Sequence, residues 1–140
     1  MATWKDVESA APELAARARA ILDAHKHKTI ATLRADGSPR ISGIEVQFAG
    51  GDLTFGSMPG ARKGADLRRD PRFALHSASV DPPADQAAWV GDAKVAGRAE
   101  LVGPLDGPAP GDLFRAEVHE VVVTGLNADA TLLVIESWTP

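Results

Sequence analysis

Apolar and polar positions alternate along much of the chain after residue 28, a pattern typical of β-strands. Turn and proline-rich sequences divide this part of the chain into seven apolar segments. These predicted strands are residues 29–33, 39–48, 53–56, 72–77, 89–102, 114–126 and 131–138. Many of the connections have hairpin length, so the pattern predicts a mainly β fold, a closed or half-open antiparallel barrel with flanking helices.

An amphipathic helix is predicted before the first strand. Ser9 caps its start and it ends near His25. Its apolar stripe consists of Leu14, Ala18, Ile21 and Leu22. We expect residues 1–27 to cover the barrel, and residues 1–140 to form a single domain.

The two long strands near the C-terminus carry further detail. Gly97, in the middle of residues 89–102, predicts a bulge or a sharp bend. A Pro- and Gly-rich loop, residues 103–111, leads to the next strand. There, strict alternation predicts that one face carries Phe114, Ala116, Val118 and Val122, and the other Arg115, Glu117 and His119.

The most informative charges lie where the third strand passes into a second, short helix near residues 60–69. The helix is entered through Pro59-Gly60, so Arg62 and Lys63 fall in its first turn. Unpaired N–H groups and the positive end of the macrodipole make cations unfavourable there unless an anion is bound. A bound phosphate group would accept hydrogen bonds from the N–H groups, interact favourably with the helix dipole and neutralise the two cations. A solvated basic helix end is the alternative, and this stretch alone does not choose between them.

Composition excludes several kinds of chemistry. The chain has no cysteine, which rules out disulfides, thiolate metal sites and cysteine nucleophiles, and it also lacks tyrosine. Its formal net charge of −4 argues against a broad nucleic-acid or anionic-membrane surface. With neither a signal sequence nor an apolar run of membrane-spanning length, a cytoplasmic location is expected.

The histidines and Ser57 carry weaker signals. His25 and His27 have metal-like spacing, but a basic helix end explains them better, because no third histidine is near in sequence. His76 and His119 are possible proton donors, although lone strand histidines are more often packed or exposed. Ser57 lies in no Gly-x-Ser-x-Gly motif, which disfavours a serine hydrolase.

Several segments, in this order and spacing, resemble the pyridoxamine 5′-phosphate oxidase-like family of flavin-binding split barrels. They are Thr29 to Leu33, Asp36 to Ser42, Ser57 to Lys63, Asp70-Pro71-Arg72 and Ile135 to Trp138. The resemblance implies a homodimer that binds flavin mononucleotide (FMN) between its subunits. By position it implies six cofactor-binding residues: Arg40, Arg62 and Lys63 at the phosphate, Ser57 and Met58 along the cofactor, and Trp138 at the flavin ring.

Three departures from the family pattern argue against oxidation of vitamin B6. Glu45 stands where the oxidase has a second cation, and Asp92 stands where the family has a flavin-contacting glutamine. The chain also ends at Pro140, without the oxidase's basic tail. The loss of that cation and of the tail, with Leu67 to Arg72 retained, resembles the deazaflavin-dependent branch of the family. Its long acidic coenzyme would need a basic groove, for which the candidates are Arg62, Lys63, Arg68, Arg69 and Arg72.

The resemblance therefore implies an oxidoreductase that transfers a hydride to or from a small organic molecule, with the cofactor carrying the chemistry. A deazaflavin-dependent reductase on the same fold is one alternative. A flavin or haem carrier or sensor without turnover is another. A third is a structural dimeric barrel whose Arg62 and Lys63 face solvent, which predicts a colourless protein unaffected by flavin.

Overall fold

The computed structural model describes residues 1–108 and 110–140, and the part described contains eight strands and three α-helices. The helices are α1 (Trp4–Ala10), α2 (Pro12–Asp23) and α3 (Arg62–Arg69). The strands are β1 (Lys28–Leu33), β2 (Pro39–Ile44), β3 (Val46–Ala49), β4 (Asp52–Ser57), β5 (Arg72–His76), β6 (Asp92–Leu105), β7 (Gly111–Leu126) and β8 (Leu133–Trp138). A short 3₁₀ turn, Gln86–Ala88, precedes β6.

The strands form one antiparallel sheet in the order β2-β1-β5-β6-β7-β4-β3. Only Glu45 separates β2 from β3, although these strands lie at opposite ends of that order. The sheet must therefore curl until its two ends come together at Glu45, and because β2 and β3 are not hydrogen-bonded neighbours, the barrel is half-open. β4 pairs with the first half of β7, from Asp112 to Arg115, and β8 pairs with the second half, from Val121 to Leu126. The predicted mainly β barrel with flanking helices is confirmed.

The predicted strand 39–48 is two strands in the structure. Ile44 and Val46 both face the core, so the alternation continues through Glu45 without a break. The hydrogen-bonding partner nevertheless changes there, from β1 to β4. Alternation records which face a residue presents and carries no information about the neighbouring strand, so the division was not visible in the sequence.

The N-terminal segment also differs from the prediction. Ser9 is not a cap: it lies in α1, whose N-cap is Thr3 in a capping box with Asp6. The helix is interrupted at Ala11, which has φ −142°, because the residue before a proline is disfavoured in the helical region. α2 then ends at Asp23 rather than His25. Across the described residues, no helix has the length and apolarity needed to span a bilayer.

Both N-terminal helices pack on the barrel. Trp4 and Val7 of α1 are buried in the same core as the apolar stripe of α2 and the inward side chains of the strands. Backbone hydrogen bonds add to this contact: Lys5 N donates to Gly51 O and Val118 N donates to Ala2 O, both at 2.8 Å. Ala2, Trp4 and Val7 of the N-terminal segment are therefore buried against the barrel.

A bulge in β7 changes which of its residues face the core. Gly97 pairs with Val118 and Ala96 pairs with Glu120, which leaves His119 as the extra residue. The predicted irregularity at Gly97 is present, with the inserted residue on the opposite strand. Beyond the bulge the inward positions are Val121 and Val123, so the placement of Val122 on the inward face was wrong. β6 also extends to Leu105, into the predicted loop 103–111, of which Ala109 lies outside the described residues.

Candidate functional site

A groove of about 400 Å³ runs over the outside of the barrel where β2, β3 and β4 meet the start of α3. Its polar residues are Glu45, Gln47, Thr54, His27 and Lys63. The apolar residues along it are Met58, Leu105 and Leu113, and the core residues Ile44 and Phe55 form its floor. An apolar concavity with a few convergent polar groups is typical of a small-molecule or cofactor site.

Two glycines shape the wall of this groove. A Cβ built on Gly43 would meet no atom within 4 Å, so the position of its missing side chain is open space. A Cβ on Gly56 would lie 2.7 Å from Leu105 Cδ1. At Gly43 a flat ligand can therefore approach the strand backbone closely, whereas at Gly56 the side chain of Leu105 takes up the space. Gly43 was not recognised from the sequence, although a glycine inside an alternating strand was an available signal.

The start of α3 separates the two cations that the sequence placed side by side. Ala61, the N-cap, is extended and its side chain provides no capping hydrogen bond. Successive helical residues point about 100° apart. Half-buried Lys63 lines the groove, whereas exposed Arg62 lines a different depression. The helix start thus presents positive charge in two directions.

Arg40 lies with Arg62 in that second depression, which we call the arginine depression and define by Arg34, Arg40, Arg62 and Arg69. Asp66 of α3 lies beneath it with only 3% of its side chain exposed. Its Oδ2 accepts hydrogen bonds from Arg40 Nε at 2.7 Å and from Thr32 Oγ1 at 2.8 Å. Its Oδ1 accepts one from Arg69 at 2.9 Å. Burial raises the pKa of Asp66, but these hydrogen bonds outweigh it and leave the pKa below its ordinary value.

The five cations proposed for a basic groove do not share one depression. Arg68 makes a bidentate ion pair with Asp112 at the start of β7. Arg72 makes another with Asp70, and this hydrogen bonding lowers the pKa of Asp70 to about 2. Both arginines are therefore already neutralised by a neighbouring carboxylate.

Ser57 and Met58, at the end of β4, have different surroundings. Ser57 is 3% exposed and lies beneath α3, where a Cβ on Gly64 would overlap its hydroxyl. Met58 is 69% exposed and lines the groove. Ser57 thus positions the helix, while Met58 is available to a ligand.

Trp138 lies in a separate depression with Glu117 and His119, beside the N-terminus. Its ring is half-buried and packs against the barrel core. His119 Nε2 lies 3.2 Å from Glu117 Oε1. Within one chain, therefore, Trp138 does not line the groove that contains Met58 and Lys63.

Three further residues considered in the sequence analysis, His76, His27 and Asp92, lie at separate places in the fold. His76 Nδ1 donates to the Ser77 carbonyl at 2.6 Å, which fixes its ring at the end of β5. His27 lies at the groove with its Nδ1 4.0 Å from Glu45 Oε1. Asp92, at the start of β6, pairs with Thr124 and is not among the groove residues.

The curled antiparallel sheet, its covering N-terminal helices and its outer groove define the class of open, or split, β-barrels. Comparison with family models identifies the family within this class: the model for pyridoxamine 5′-phosphate oxidase matches residues 14–123. The chain belongs to the pyridoxamine 5′-phosphate oxidase family. A comparison with curated proteins gave no match.

Solved structures share the fold at low sequence identity. A haem-binding protein from Mycobacterium smegmatis is 22% identical with a TM-score of 0.63; the match covers 88% of this chain and 56% of that one. General Stress Protein 26 from Bacillus anthracis is 13% identical with a TM-score of 0.64, covering 89% and 97% of the two chains. An F420 reductase is 17% identical with a TM-score of 0.56, covering 71% and 91%.

Proposed function

We propose that this chain is a flavin-binding oxidoreductase that holds FMN in the groove and acts on a small organic molecule. The observation that carries the proposal is the groove itself. It combines apolar walls, an open wall position at Gly43, and one cation, Lys63, in the first turn of a helix. These features fit a flat ring with an anionic end.

Each group of residues would then have a defined task. Lys63 binds the phosphate at the start of α3. Met58, Leu105 and Leu113 exclude water from the ring. When bound, FMN supplies the hydride-transfer chemistry, and the chain supplies orientation and a dry surface.

A homodimer is part of the proposal. β8 is fixed on one side by Trp138, which packs on the core, and by Glu136, which lies 3.2 Å from Arg17 of α2. The opposite side presents Leu133 and Ile135, 65% and 69% exposed. Neighbouring apolar side chains exposed in this way are typical of a protein interface.

The deazaflavin coenzyme is the second candidate. Its support is Glu45, which lines the groove where the oxidase has a second cation. Among the described residues that line the groove, Lys63 is the only lysine or arginine. A coenzyme with a long acidic tail could instead reach cations outside the groove. The reaction would again be hydride transfer.

The test is a fluorescence titration of cofactor-free protein with FMN, riboflavin and the deazaflavin coenzyme. We expect FMN to bind more tightly than riboflavin, which lacks the phosphate. Lys63→Gln should reduce FMN affinity about tenfold or more, the effect of losing one charged hydrogen bond of roughly 1.5–3 kcal/mol. Arg72→Gln is the matched control, because Asp70 already pairs with Arg72. Tighter binding of the deazaflavin would select the second candidate, and binding of none of the three would reject both.

A further inference from the structure

We propose that His27 is the catalytic residue for proton transfer in the groove and that Glu45 is the residue that positions it. This role rests on the proposed function and adds a proton donor to it. When an organic molecule accepts a hydride, negative charge develops on a neighbouring atom, and that atom must receive a proton. A groove that supports hydride transfer therefore needs a proton donor beside the cofactor.

Few side chains of the groove can be this donor. The chain lacks both cysteine and tyrosine. The titratable residues described as lining the groove are His27, Glu45 and Lys63. Lys63 binds the phosphate in the proposed complex. Of the remaining two types of side chain, an imidazole both releases and accepts protons near neutral pH, whereas a carboxylate is ordinarily ionised there. His27 is therefore the residue suited to proton transfer.

The pairing of β1 with β2 places His27 opposite Glu45. Lys28, the first residue of β1, pairs with Ile44, the last residue of β2. The next pair outward is therefore His27 with Glu45, and directly opposite residues have Cβ atoms about 5 Å apart. His27 Nδ1 lies 4.0 Å from Glu45 Oε1, an ion-pair separation. Catalytic contacts are often this long before a ligand binds. The carboxylate orients Nδ1 and leaves Nε2 to exchange a proton with a ligand.

A buried lysine anchors the backbone on both sides of His27. Lys28 shares the inward face of β1 with Ile30 and is only 5% exposed. Its Nζ donates to the carbonyl of Lys26 at 3.2 Å, which ties together the residues before and after His27. The imidazole itself is 81% exposed. It is thus held on a short anchored segment and can still recover its proton from solvent after each turnover.

Two lysines also act on this pair. Lys26 Nζ lies 3.6 Å from the same Glu45 oxygen that faces His27, and Lys63 lines the same groove. Loss of a proton from His27 therefore leaves Glu45 still paired with Lys26. Glu45 stands where the oxidase has a second cation, so the departure that argues against vitamin B6 oxidation provides the carboxylate that orients the histidine.

The proposed step is balanced in electrons and protons. The substrate gains two electrons and one proton as a hydride from the reduced flavin, and a second proton from His27 Nε2. The N–H bond of the imidazole breaks, and an O–H or C–H bond forms on the substrate. The flavin is oxidised, and an added reductant such as dithionite reduces it again. In the reverse direction the neutral imidazole accepts the proton.

Stopped-flow oxidation of the FMN-loaded protein, reduced beforehand with one equivalent of dithionite, tests this role. Menadione, a quinone, needs protons as well as electrons, whereas ferricyanide takes electrons alone. His27→Gln should lower the ratio of the menadione rate to the ferricyanide rate about 100-fold, at the lower end of what general acid–base catalysis contributes. Glu45→Gln should lower the same ratio about tenfold, as expected when a catalytic group loses its orienting partner. His25→Gln is the matched control and should leave the ratio unchanged, because His25 lies outside the described lining of the groove.

Chemical modification of the histidines gives a readout that does not depend on turnover. Diethylpyrocarbonate acylates unprotonated imidazole nitrogens, and mass spectrometry locates the adducts. We expect bound FMN to protect His27 and to leave His25 reactive. Equal rate ratios in His27→Gln and His25→Gln, or equal modification of His27 with and without FMN, would overturn the proposal. Failure of the wild-type chain to bind FMN would instead reject the function on which the proposal rests.

Discussion

Arg40 Nε donates to Asp66 Oδ2 at 2.7 Å and so joins strand β2 to helix α3, 26 residues further along the chain. Asp66 is 3% exposed and Arg40 is 18% exposed, which makes this a largely buried ion pair. The pair lies beneath the arginine depression, and α3 also carries Lys63 into the groove. The same short helix therefore carries both the buried ion pair and a residue of the groove.

Replacement of Asp66 should be severely destabilising. Asp66→Ala leaves Arg40 and Arg69 without their carboxylate, and breaking a buried pair in this way typically costs about 3–5 kcal/mol. Urea unfolding followed by circular dichroism measures the change in the free energy of unfolding. Asp70→Ala removes a half-buried carboxylate, paired with exposed Arg72, from the end of the same helix and should cost much less. Equal losses in the two variants would contradict the structural role of Asp66.

Acid should destabilise the folded protein over a defined range. The pKa values of Asp66, Asp70 and Asp112 lie below the ordinary 3.8, and that of Asp70 is about 2. Groups with a lower pKa in the folded state stabilise it above the unfolded pKa, and that contribution disappears as pH falls through the folded pKa. Tm measured against pH should therefore decline between about pH 4 and pH 2. An unchanged Tm across this range would show that the ion pairs contribute nothing.

Gly43→Val should block the groove without harming the fold. The new side chain would enter open space, and valine suits a strand. We expect FMN affinity to fall at least tenfold while Tm changes little. Ile41→Ala is the matched control, because Ile41 is an exposed neighbour on β2 that does not line the groove. Full FMN binding by Gly43→Val would place the cofactor elsewhere.

Ile135→Glu should disrupt the proposed homodimer. A charge introduced on the outer side of β8 would be buried without a partner when two copies associate, which costs several kcal/mol. Analytical ultracentrifugation should find a dimer for the wild-type chain and a monomer for the variant. Val80→Glu adds the same charge at another exposed apolar position and should remain dimeric. A wild-type monomer would refute the interface directly.

The sequence predicted the helix at Arg62 and most strand positions correctly because these depend on local signals. Pro59-Gly60 and Asp70-Pro71 mark the boundaries of α3, and alternation marks the strands. The errors have equally specific causes. Val122 was misplaced because the inserted residue, His119, reverses the alternation, and α1 was missed because its cap, Thr3, precedes a helix of only seven residues.

The sequence by itself determined the class of fold, the family and the positive charge at the start of α3. All three depend only on residue types and on their spacing over short stretches of the chain. Tertiary structure decided which of those charges act together. Closing the sheet brings the β1–β2 hairpin beside α3, so Arg34 and Arg40 join Arg62, while Lys63 turns into the groove with Gly43. Contacts between residues so far apart in sequence depend on how the barrel curls, and no local pattern along the chain contains that information.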